Sequence, residues 1–139
     1  MTAIESLAAC GVKASPQRVA VLDYLMEHHT HPNVDDIYAA LHPDYPTLSR
    51  TTVYNTLRLL TESGVVQTLS IDERNAHYDA DVTPHAHFIC TACRTIIDIP
   101  LREAALDAMA ELPRQMQVES TQLYFRGLCP ACKCRAEHA

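Results

Sequence analysis

The feature that most narrows what this chain can become is a repeated spacing of cysteine. Cys90-Thr91-Ala92-Cys93 and Cys129-Pro130-Ala131-Cys132 form two CxxC pairs with 35 residues between them. Four thiolates arranged in this way suit one tetrahedral Zn²⁺ cage. A chain of 139 residues, whose domains can have only modest cores, gains from such a staple. The opening residues Met1-Thr2-Ala3-Ile4-Glu5-Ser6 carry no basic segment followed by an apolar run, and no apolar stretch is long enough to cross a bilayer. The expected setting is therefore a reducing cytoplasm with no membrane partner, where paired thiols bind metal more often than each other. Cys10 and Cys134 lie outside the cage, although Cys134 stands near enough to Cys132 to substitute for it or to oxidise with it.

Just before the first pair, His85 and His87 are two residues apart and share one face if the segment is a strand. With a carboxylate nearby they could hold a second, more exchangeable metal.

Residues 1 to 64 read as four helices. Ile4, Leu7 and Ala8 have helical spacing, and Gly11 closes the first helix. Ser15-Pro16 is an N-cap with proline at the first helical position, and Val19, Leu22 and Met26 form an inward stripe. A third helix starts at Asn33 with Asp35 and Asp36 in its first turn, where negative charge is favoured. Ser49 caps a fourth, with Val53, Leu57 and Leu60 inward. The opposite face carries Arg50, Thr51, Tyr54, Asn55 and Arg58, side chains suited to reading base edges in a major groove. An ordinary solvated face is the plainer alternative.

Residues 65–71 and 76–79 read as strands joined by the turn Asp72-Glu73-Arg74-Asn75. Helices followed by a hairpin make a winged helix, in which the last helix enters the groove and the hairpin lies on the backbone. Lys13, Arg18 and Arg74 could then contact phosphates. Charge weighs against DNA: the formal net charge is −6, with 5 basic and 11 acidic residues up to Thr83 against 6 and 6 beyond, whereas phosphate contacts supply most non-specific affinity.

Asp81-Val82-Thr83-Pro84 reads as a hinge, within residues 80–84, between a domain at 1–83 and another at 84–139. Beyond it, residues 87–90 and 95–99 suggest short strands, Pro100 opens a helix, and 117–125 alternates as a strand of mixed character. The expectation is an α+β chain: an N-terminal winged helix-turn-helix domain, then a small α/β domain that pairs with a second copy.

These motifs together resemble the ferric uptake regulator family, and most closely its peroxide-sensing repressor branch. The resemblance runs through Ser15-Pro16-Gln17-Arg18, His31-Pro32, Asp35-Asp36-Ile37-Tyr38, Thr52-Val53-Tyr54-Asn55-Thr56-Leu57, His85-Ala86-His87-Phe88-Ile89-Cys90 and Cys129-Pro130-Ala131-Cys132. It implies a dimeric, metal-dependent repressor of double-stranded DNA with a palindromic operator. It also implies structural zinc on the four cysteines and regulatory Fe²⁺ or Mn²⁺ on His31, Asp79, His85, His87 and Asp98. Asp79, rather than Glu, is what the resemblance associates with peroxide sensing, and His31 or His85 is the implied site of oxidation. Such N/O donors suit Fe²⁺ or Mn²⁺, as thiolates suit Zn²⁺.

His77 reads as an exposed residue of the wing. An iron, zinc or nickel uptake regulator is the nearest alternative. In other classes, a metal-storage protein would leave the Arg50–Arg58 face without purpose. A thiol redox protein would need a CxxC that opens a helix after a parallel strand, and neither pair reads that way.

Overall fold

In the computed structural model, residues 1–138 are described, and they form two compact units, Met1–Val82 and a second that begins at Thr83. Helices with two small sheets give the expected α+β class.

The first unit holds four helices and a hairpin. Helix α1 (Ala3–Ala9) starts from a capping box between Thr2 and Glu5. Helix α2 (Pro16–Glu27) is capped by Ser15, whose side chain accepts from the Arg18 N–H. Asn33 and Asp36 form the capping box of α3 (Val34–Leu41), and Ser49 caps α4 (Arg50–Glu62). Each cap satisfies an N–H that helix geometry leaves orphaned. Gly11 and Gly64 take φ of +70° and +77° at the ends of α1 and α4, a left-handed turn that glycine adopts without a Cβ penalty.

Leu7, Val21, Leu22, Leu25, Ile37, Val53, Leu57 and Leu60 pack into one core with Val66 and Tyr78. In α1 the inward residues are Ala3 and Leu7, while Ile4 and Ala8 face solvent. The deepest face of α2 is Val21, Leu22 and Leu25, and Val19 and Met26 lie at its margin. Strands β1 (Gln67–Leu69) and β2 (His77–Asp79) pair antiparallel, with Gln67 opposite Asp79.

The second unit is a three-stranded sheet in the order β4-β3-β5. Its central strand β3 (Ala86–Cys90) pairs antiparallel with β4 (Ile96–Ile99) and parallel with β5 (Tyr124–Gly127). Helix α5 (Ala105–Met109) is one short turn-and-a-half whose N-cap, Ala104, makes no side-chain capping bond, so the helix expected from Pro100 is much reduced. The strand expected over 117–125 is confined to its end: residues 107–122 are all exposed, and only Tyr124 onward pairs. Mixed alternation gives residues 117–122 no apolar face to bury, and the His87 N–H meets the chain at the Leu123 carbonyl, at 3.1 Å. Helix α6 (Pro130–Glu137), not anticipated from the sequence, follows Cys129 with Pro130 in its first turn. No helix among the described residues is long and apolar enough to cross a membrane.

Candidate metal centres and nucleic-acid face

The four cysteines come from two turns that the sheet brings side by side. Cys90 ends β3, and Cys93 lies in the turn to β4. Cys129 and Cys132 begin α6, just past β5, which pairs with β3. One sulfur from each lies within 4.8 Å of all the others, and all four are free thiols. The Cys93 and Cys129 sulfurs are 3.8 Å apart. Zn–S bonds of about 2.3 Å set tetrahedral edges of about 3.8 Å, so the spacing fits zinc and is far too long for a disulfide.

The cage also has an electrostatic structure. The Cys129 and Cys93 backbone N–H groups lower the Cys90 thiol to about 5. Arg135 donates to the Cys132 sulfur at 3.0 Å and pulls that thiol down, but hydrogen bonding of the protonated thiol to Cys129, burial and hydrogen bonding to the other two sulfurs outweigh it and leave Cys132 at about 11. Four sulfurs this close cannot all ionise without a cation among them.

One expectation is corrected here. Cys129-Pro130-Ala131-Cys132 does open a helix, and it does so after a strand parallel to β3. The setting of a redox dithiol is therefore present, and what removes that reading is the contact of Cys129 with Cys93 from the other pair.

Within the second unit, antiparallel register sets His87 opposite Asp98, and His85 is two residues away on the same side. The Asp98 Oδ1 lies 3.3 Å from His85 Nε2 and 3.4 Å from His87 Nε2. The other nitrogen of His85, Nδ1, donates to the Thr83 carbonyl at 2.7 Å, which turns Nε2 toward Asp98. Donor atoms around a hard divalent ion with bonds of about 2.1 Å sit about 3 Å apart, so these three fit one.

Within the first unit, β2 ends at Asp79, whose Oδ2 is 3.6 Å from His31 Nε2. Both side chains are buried. Asp79 Oδ1 accepts from the Asp81 N–H at 2.9 Å. Carboxylate and imidazole buried together again make a hard, divalent-cation donor set. His77 is not the exposed wing residue expected: Asp72 and the His31 carbonyl hold it at 2.9 and 2.6 Å.

Helix α4 turns Val53, Leu57 and Leu60 inward and leaves Arg50, Thr51, Tyr54, Asn55 and Arg58 exposed. Lys13, Arg18 and Asn55 line one cleft of about 420 Å³ with Ser15, Gln17, Thr52 and Thr56. Arg50 is engaged within the chain, bonded to Asp35 at 2.9 Å and stacked over Tyr38 at 4.3 Å. Gln17 was missed as a cleft residue, although its place beside Ser15 and Arg18 in the first turn of α2 was a usable signal.

The ferric uptake regulator family matches residues 9–126 of the chain. The chain belongs to that family. A relative in it, the peroxide-responsive repressor PerR of Staphylococcus aureus, is 35% identical over 131 residues, which cover 94% of this chain and 88% of the relative. The peroxide stress regulator of Campylobacter jejuni superposes with a TM-score of 0.69 at 29% identity, over 95% of this chain and 100% of its own. The ferric uptake regulator of Helicobacter pylori gives 0.72 at 22% identity, over 94% and 88%, and shares the fold.

Proposed function

We propose that the chain is a metal-dependent transcriptional repressor that senses peroxide and acts as a cytoplasmic homodimer, not an enzyme, on a palindromic site in double-stranded DNA. The observation that carries this is the meeting of Asp98 with both His85 and His87 beside a separate four-sulfur cage. Two donor sets of different softness in one chain call for two metals with different duties. Resemblance to the Staphylococcus aureus repressor points the same way.

In this reading, residues 1–83 bind DNA and 84–139 form the dimer, with 80–84 as hinge. Thr51, Tyr54, Asn55 and Arg58 read the groove, joined by Arg50 once Asp35 releases it. Lys13 and Arg18 hold phosphate from the cleft. Exposed Met109, Leu112, Met116, Val118, Phe125 and Leu128 supply the apolar surface for a second copy. Zn²⁺ on Cys90, Cys93, Cys129 and Cys132 braces the second domain. His31 and Asp79 from the first domain, with His85, His87 and Asp98 from the second, hold the regulatory Fe²⁺ or Mn²⁺. Shared ligation fixes the angle between domains, and so the distance between the two copies of α4 in a dimer, which must match the half-site spacing.

Bound Fe²⁺ would supply the reduction of peroxide, a chemistry that Mn²⁺ does not share. His31 or His85 takes up one oxygen atom as the peroxide leaves as water, and the oxidised imidazole is a poorer ligand. Loss of that ligand ends the link between domains and releases DNA.

The test is mass spectrometry of the Fe²⁺-loaded protein after mild peroxide, paired with gel shift. One added oxygen on the peptide holding His31 or His85, together with lost DNA binding, supports the sensor. DNA binding that follows metal but ignores peroxide makes the chain an iron, zinc or nickel uptake regulator. Oxidation confined to the cysteines indicates thiol-based sensing.

A further inference from the structure

His31 has a backbone conformation that few residues adopt. Its φ of +56° is in the left-handed region, where a side chain with a Cβ is disfavoured unless its surroundings hold it. Three contacts from one strand do so. The Tyr78 N–H donates to the carbonyl of Pro32 at 3.0 Å. His77 Nδ1 donates to the carbonyl of His31 itself at 2.6 Å. Asp79, two residues on and on the same side of the strand, lies 3.6 Å from the His31 imidazole. The strand thus addresses both ends of one residue, its main chain and its ring.

His77 is itself fixed from behind. Its Nε2 meets Asp72 Oδ2 at 2.9 Å, and the two side chains keep only 13% and 9% of their exposure. The other oxygen of Asp72 accepts from the Arg74 N–H at 2.9 Å, so the carboxylate is locked into the hairpin turn. A chain of directed bonds runs from the turn of the wing through Asp72 and His77 to the His31 backbone.

We propose that His77, backed by Asp72, is a positioning residue for the regulatory metal: it clamps the His31 carbonyl so that the imidazole stands ready beside Asp79 before any ion arrives. The proposal rests on His31 being a metal ligand. Without the clamp, the strained loop relaxes and each binding event must rebuild it, which lowers affinity. Outer partners of ligands commonly change metal affinity by about 10- to 100-fold. A partner acting through the backbone is expected near the lower end.

The experiment measures Mn²⁺ binding to the zinc-loaded full chain by competition with a fluorescent chelator, alongside zinc content and thermal unfolding. H77F removes both hydrogen bonds while keeping a ring of similar size, and about tenfold weaker Mn²⁺ binding is expected with zinc content unchanged. H77N puts an amide N–H where Nδ1–H was, and should recover most of that loss even though the link to Asp72 is gone. Recovery of affinity by H77N beyond any recovery of melting temperature separates positioning from general support of the fold. If H77F is too unstable to measure, D72N and H77N decide, with D72N expected to weaken Mn²⁺ severalfold. H77F or D72N at wild-type affinity, where H31A has lost Mn²⁺ binding, overturns the clamp and leaves the metal site standing. H31A at wild-type affinity removes the underlying site and the clamp together.

Discussion

The two units of this chain solve the same problem by different means. In Met1–Val82, Leu7, Leu22, Leu25, Ile37, Leu57 and Leu60 are wholly buried in a closed core. At about 1.5–3 kcal/mol for each large apolar side chain buried, such a core can sustain a fold by itself. Among the described residues of the second unit the buried ones reduce to Ala86, His87, Ile89, Cys90 and Cys132, and a whole segment, 107–122, is exposed. That sheet is held by sulfur and by whatever covers its apolar residues. The half that burial stabilises carries the proposed reading face, whereas the half that metal stabilises carries the cage and the triad of His85, His87 and Asp98. Dependence of the fold on zinc is thus concentrated where the hydrophobic core is thinnest.

Several experiments would break that contrast or sharpen it. The largest effect should come from stripping zinc or making Cys132→Ser. Structural zinc sites contribute on the order of 10 kcal/mol of apparent binding free energy. The amide NMR signals of the second unit should collapse while those of α1–α4 keep their dispersion; equal collapse in both halves would show that burial does not sustain the first one alone. Leu57→Ala should do the reverse. It removes a side chain with no exposure and should cost about 2–5 kcal/mol in urea unfolding, with zinc content intact. Asn55→Ala should leave melting unchanged and weaken operator binding by about 1–3 kcal/mol in a gel shift, the cost of one lost bidentate base contact; a wild-type shift would take Asn55 off the reading face. Smallest of all, Ser49→Ala deletes the bond to the Thr52 N–H at 3.1 Å and should lower the stability of the first unit by about 1 kcal/mol. Calorimetry resolves that loss, and finding it in the second transition would argue against two separate units.

The same contrast explains what could be read from the sequence. Ser15, Asn33 and Ser49 announced α2, α3 and α4 because a capping residue acts locally, and Val53, Leu57 and Leu60 announced a buried face because a core enforces periodicity. In the second unit no core enforces anything. The alternation over 117–125 had no apolar side, and only Tyr124 and Phe125 of that stretch entered a strand. Helix α6 left a signal that went unused, the proline directly after Cys129. The cysteines were legible because zinc geometry constrains spacing more tightly than packing does. The position of His77 was not legible, since its burial depends on Asp72 in the turn and on a carbonyl 46 residues earlier in the chain.

The splitting of the sulfur cage between β3 and the start of α6 has a consequence during synthesis. Domains fold in the order in which they leave the ribosome, and the helices of the first unit emerge complete while Cys90 and Cys93 still lack their counterparts. For the 35 residues of translation that separate the two pairs, a nascent chain carries exposed thiols and an unfinished sheet. A cell short of zinc would therefore accumulate chains whose first unit is folded and whose second is not, the form most exposed to proteolysis.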